Sequence, residues 1–149
     1  MIPRMKNSGV SPDHGWTYVF ISWVVASIAT LGALFLGEVM GYTPCVLCWY
    51  QRISMFPLVL ILAAGLFPFD IRVVRYALPL SVVGWLLAVF HWGVASGFIP
   101  ESVTPCTQGV PCSTELVSWF GFVTIPLLSV LAFSIINALL LLTLFKVPK

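Results

Sequence analysis

The sequence predicts an all-α integral membrane protein, a four-helix bundle with both termini on the cytoplasmic side. Three observations predict it. The 149-residue chain is 60% hydrophobic and only 8% charged, a balance far from that of a soluble domain. Four apolar runs, about residues 16–36, 45–66, 76–95 and 119–145, each reach the roughly 20 residues a helix needs to cross about 30 Å of hydrocarbon. These runs lack the alternation of barrel strands, and only helices or closed barrels satisfy their backbone groups in lipid. Residues 1–149 therefore read as a single membrane domain, with an outer loop over 96–118.

Residues 1–15 form a short polar tail. The first run enters with Trp16 and Tyr18 at the inner interface, and its Ser22, Ser27 and Thr30 suit close helix packing. It is too long for the apolar core of a signal peptide and no Ala-x-Ala-type site follows, so it reads as a retained signal anchor. The second run is expected to start with Thr43 as cap and Pro44 in the first turn. Pro57, in its middle, predicts a local kink. The third run starts at Tyr76, with Pro79 in its first turn and Phe90-His91-Trp92 near its outer end. Two Pro-Cys pairs, Pro105-Cys106 and Pro111-Cys112, lie in the long outer loop, together with Gly97, Pro100 and Gly109. The fourth run descends from Trp119, with Pro126 as a bend and Asn137 as a lone polar group.

Basic residues set the orientation. Arg4, Lys6, Arg72, Arg75, Lys146 and Lys149 fall in three segments that four crossings place on one side, which the positive-inside rule makes cytoplasmic. The opposite links carry Glu38, Glu101 and Glu115 and no Lys or Arg; the seventh basic residue is Arg52. All four cysteines then lie on the extracytoplasmic side, where disulfides form and persist. The expected location is a bacterial inner, or cytoplasmic, membrane.

The chemistry concentrates in Thr43-Pro44-Cys45-Val46-Leu47-Cys48-Trp49-Tyr50-Gln51-Arg52. Cys45 and Cys48 share one face of an opening helical turn, where unpaired N–H groups and the helix dipole favour a thiolate. Arg52 lies one turn beyond Cys48 on that face. A tetrahedral zinc site could draw on all four cysteines. The first pair, however, runs directly into a membrane helix and encloses too short a loop for a stabilising disulfide, so a redox role is preferred and no metal is expected. Cys106 and Cys112, with five residues between them, either staple the loop or join a relay by thiol–disulfide exchange. Arg52 either snorkels to the interface or holds a polar, reducible ligand beside Cys48. His91 is either a packed hydrogen-bond partner or a donor to a quinone carbonyl. No Cys-x-x-Cys-His haem motif, nucleotide-binding glycine fingerprint or iron–sulfur cysteine series is present. By elimination, the electron acceptor is a lipid-dissolved quinone (ubiquinone or menaquinone) that enters between helices.

These residues resemble the DsbB-type thiol:disulfide oxidoreductases, membrane proteins that reoxidise a DsbA-like partner with quinone. The stretch from Pro44 to Arg52 matches that family's helix-two signature, and the four spans and two outer cysteine pairs extend the likeness over most of the chain. The resemblance implies that Cys48 contacts quinone with help from Arg52, and that Cys45 takes electrons from the loop. It implies that Cys106 is attacked by the partner's thiolate, that Cys112 passes the electrons on, and that His91 is the quinone-side histidine. The short spacing of the loop cysteines looks like the BdbC-type branch, whose members pair with BdbD-type thioredoxin-like proteins. Gln51 stands where many members carry an acidic residue.

The implied function is thus a quinone-dependent protein thiol:disulfide oxidoreductase that supports disulfide formation in exported proteins. The vitamin K epoxide reductase family is also four-helix and quinone-linked, but its active Cys-x-x-Cys lies near the last core helix. A structural or accessory membrane protein with stapling disulfides is the alternative from another class. It predicts no quinone dependence and harmless pairwise replacement of the cysteines.

Overall fold

A computed structural model describes residues 12–105, 111–112, 118–119 and 123–147. Four helices are long and apolar enough to cross a membrane. Helix α1 spans Pro12–Leu34 and continues as a π-helical turn over Phe35–Val39. Helix α2 spans Val46–Leu66, α3 Val73–Ala95 and α4 Ile125–Lys146. A two-residue antiparallel pair, β1 (Ser118–Trp119) with β2 (Val123–Thr124), leads into α4 in the register Ser118 to Thr124 and Trp119 to Val123.

Each helix packs on its neighbours in sequence, and α4 closes the ring against α1. That is the up-and-down arrangement that short connections favour. The central core is built from Val19 and Ala26 of α1, Leu58 and Leu62 of α2, Ala77 and Ala88 of α3, and Phe133 and Ile136 of α4. On the outside, Ile28, Leu60 and Phe145 are among many large apolar side chains left exposed. A bilayer is the solvent that such a surface suits.

Between lipid-facing helices the hydrophobic effect gives little attraction, so close packing and polar contacts must hold the bundle. In α3 and α4 both are visible. Trp85 Nε1 donates to Ser134 Oγ at 2.9 Å, and the Asn137 amide donates to the Ser81 carbonyl at 3.4 Å. Gly84 lies flat against the Phe133 ring, where a Cβ would collide with the ring edge.

Helix boundaries differ from the expected ones: α4 begins at Ile125, with Trp119 in β1, so Pro126 opens the helix instead of bending it. Cys45, extended at φ −70° and ψ 171°, is the N-cap of α2, so Pro44 precedes the helix instead of opening it. Helix α3 begins at Val73, which places Pro79 inside it. Both Pro57 and Pro79 are accommodated within continuous helices, on exposed positions.

Gly84→Ala should destabilise the α3–α4 contact by about 1–3 kcal/mol, the usual range for overpacking a close contact. Unfolding of the purified protein in mixed micelles measures this. An unchanged midpoint would show that the Phe133 ring moves aside freely.

Candidate functional site

The site is built at the N-terminal end of α2. As N-cap, Cys45 places its side chain over the first turn, and Cys48 is the third helical residue. This is the spacing at which cap and helix side chains meet. The two Sγ atoms lie 3.3 Å apart, and both thiols are free.

The pair has two different surroundings. On one side, Cys45 is buried with Leu47, Val94 and Cys112 in a small cluster that Cys48, Phe90 and Ile99 complete. Cys112 is itself disulfide-bonded and is packed onto the head of α2. The ring of His91, from α3, closes this side, with Nε2 3.6 Å from Cys45 Sγ. Its other nitrogen, Nδ1, lies 2.9 Å from the amide nitrogen of Gln51. Cys45, Cys48 and His91 bring their donor atoms within 4.8 Å of one another.

On the other side, Cys48 lines an apolar cleft of about 500 Å³ between α1, α2 and α4. Ala29, Thr30, Gly37, Gln51 and Arg52 line it too. Its α1 and α4 rims include the exposed Ile28, Leu128 and Leu131, so it opens toward the lipid-facing surface. Thr30 Oγ1 is buried there with no hydrogen-bond partner, an expensive state for a hydroxyl unless a ligand satisfies it.

Arg52 is held across the cleft. Its Nη2 donates to the Ala33 carbonyl at 2.7 Å, and its guanidinium lies 5.5 Å from the centre of the Trp49 ring. Side-chain insertion into a helical ladder is a known cause of bulges, and the π-helical turn of α1 begins two residues after Ala33. Gly37, in that turn, allows the approach: a Cβ there would sit 2.9 Å from Arg52 Nη2.

Of the residues singled out in the sequence, Cys45, Cys48, His91 and Cys112 are brought together, and Arg52 shares the cleft with Cys48. His91 is not among the residues lining the cleft; it stands behind Cys45. Cys106 lies outside the described residues. Thr30 and Gln51 were not singled out as site residues. A threonine among helix-packing residues carries no sequence signal for a ligand, and Gln51 signals itself only through its place beside the Cys-x-x-Cys.

A four-helix membrane bundle that holds a free dithiol against a buried, disulfide-bonded loop cysteine has the make-up of a membrane thiol–disulfide redox protein. The chain belongs to the DsbB family: residues 16–143 match the family described as disulfide bond formation protein DsbB. It is 46% identical over 121 residues to disulfide bond formation protein C of Bacillus subtilis (strain 168), covering 80% of this chain and 86% of that one. It is 50% identical over 127 residues to a probable disulfide formation protein of Metapseudomonas resinovorans, covering 85% and 88%. No solved structure matches significantly. The protein is a membrane disulfide-forming oxidoreductase.

With the loop cysteines replaced by serine, a mild oxidant should remove the Cys45 and Cys48 thiols together. Adding Cys45→Ser should leave Cys48 alkylatable. Counting maleimide-reactive thiols by mass checks this; two thiols surviving oxidation would show that the pair does not close.

Proposed function

We propose that the protein reoxidises a DsbA/BdbD-like thioredoxin-fold partner and delivers the electrons to a membrane quinone, ubiquinone or menaquinone. The observation that carries this reading is the two-sided dithiol, with a loop cysteine against Cys45 and an apolar, lipid-open cleft against Cys48. The cleft fits a quinone head group: it is apolar, and its polar groups include the unpartnered Thr30 hydroxyl and the Arg52 guanidinium. A bound quinone takes two electrons and two protons for each disulfide formed.

The chain's own residues divide the remaining work. In this reading Cys106 and Cys112 form the outer disulfide, and the partner's thiolate attacks Cys106. Released Cys112 attacks Cys45, so that Cys48 leaves as thiolate on the cleft side. Arg52 stabilises that thiolate and, with Thr30, orients oxygen atoms in the cleft. His91 acts from behind Cys45. In this reading the protein lies in a bacterial inner membrane with its termini in the cytoplasm and its cysteines outside, an orientation that six of the seven basic residues support.

The direct test is quinone reduction by the purified protein given reduced partner. Wild type should turn over, and Cys48→Ser and Cys106→Ser should each abolish turnover. Loss with Cys48→Ser alone would make the loop pair a staple, and no turnover with any quinone would overturn the reading.

Gly37→Ala should push the guanidinium out of place, and Thr30→Val should remove one donor at nearly constant volume. Each should raise the KM for quinone by roughly three- to tenfold, as the loss of one hydrogen bond does, with partner-dependent steps unchanged. Steady-state kinetics at varied quinone checks this; an unaltered KM in both variants would place the quinone elsewhere.

A further inference from the structure

Gln51, Cys45 and His91 are 7%, 5% and 3% exposed, so water does not compete for their polar atoms. An amide nitrogen has only protons to offer. With Gln51 Nε2 2.9 Å from His91 Nδ1, Nδ1 is the accepting nitrogen. A neutral ring then carries its proton on Nε2, the atom that faces Cys45 Sγ at 3.6 Å. We propose that Gln51 is a positioning residue that fixes the tautomer of His91, holding Nε2–H against Cys45 Sγ so that it donates to this sulfur whenever it carries the thiolate charge.

The step served is the breaking of a disulfide bond to Cys45. When the Cys106 thiolate attacks Cys112 in the Cys45–Cys112 bond that the relay forms, the Cys106–Cys112 bond forms again, the Cys45–Cys112 bond breaks, and the bonding pair leaves with Cys45. Electrons balance and no proton moves. Exchange is faster when the leaving thiolate is better stabilised, and an N–H donor supplies this without a second ion in a buried place. Gln51 suits the task because of its amide. A carboxylate at this position only accepts, and draws the ring proton to Nδ1. Gln51 also lines the cleft, so one side chain of α2 joins the cleft wall to the ring that serves Cys45. The inference rests on the reading that Cys45 takes part in thiol–disulfide exchange.

The test uses the full chain labelled with [15N]histidine, reduced, in micelles at alkaline pH, with neither quinone nor partner. His14 and His91 are the two histidines of the chain, so His14→Ala assigns the spectrum. In wild type, His91 should show a protonated Nε2 and a bare Nδ1. Gln51→Glu should move the proton to Nδ1, and Gln51→Met should leave a mixture. As a second readout, the Cys45 alkylation rate, measured below the pH at which the thiol ionises and with the other three cysteines as serine, should fall about tenfold on Gln51→Glu, as expected for losing a hydrogen bond to a charged group. A protonated Nδ1 in wild type overturns the proposal. So does a tautomer indifferent to both substitutions, or an unchanged alkylation rate. Failure of wild type to reduce quinone would count against the proposed function alone, because neither readout involves quinone.

Discussion

The half of the bundle around the start of α2 is organised by one cost: Arg52 is a guanidinium at the seventh position of a membrane helix. An unsatisfied charge there costs on the order of several kcal/mol. Two neighbours reduce that cost, the Ala33 carbonyl and the face of Trp49. Both arrangements have consequences elsewhere. Helix α1 widens into a π-helical turn just after the carbonyl it lends, and position 37 carries no side chain where the guanidinium passes. Among the described residues no carboxylate pairs with Arg52, so its positive charge is left facing the cleft.

The same helix end explains why two identical thiols serve different neighbours. Cys45 is the cap and Cys48 the third helical residue, so their sulfurs touch while their outward surroundings diverge. Cys45 meets the α3 ring and the packed loop; Cys48 meets the space between α1, α2 and α4. At 3.3 Å two full thiolate charges would repel strongly in so dry a place. Placing the Nε2–H of His91 behind one sulfur and a guanidinium across from the other gives each sulfur its own means of bearing charge when its turn comes.

Much of this was legible in the sequence because the physics involved is local or one-dimensional. Span length and apolarity fix a four-helix membrane bundle, and the spacing of Cys45 and Cys48 on one turn fixes their meeting. Other features depend on contacts between helices. The register of α2 against α3 decides that His91 meets Cys45 and Gln51 and does not line the cleft, and no periodicity encodes that register. Thr30 reads as a packing residue until α4 closes against α1 and a cleft forms beside it. Gly37 is one of 11 glycines, and only the position of Arg52 gives it a reason. The start of α2 moved by two residues because Thr43 and Cys45 compete for the cap, a choice of small energy.

The packing of Cys112 bears on the order of exchange. It shares a buried cluster with Cys45, Leu47 and Val94, against which the less buried Cys48 also packs. Under the proposed reading, a loop thiolate released there has Cys45 Sγ as the sulfur on its own side, while Cys48 faces the cleft. Attack at Cys45 sends the leaving charge to Cys48, the sulfur that shares a cleft with Arg52. Attack at Cys48 would leave the charge on Cys45, away from the guanidinium. The burial of Cys112 with Cys45 and the place of Arg52 in the cleft of Cys48 favour the same direction of electron flow.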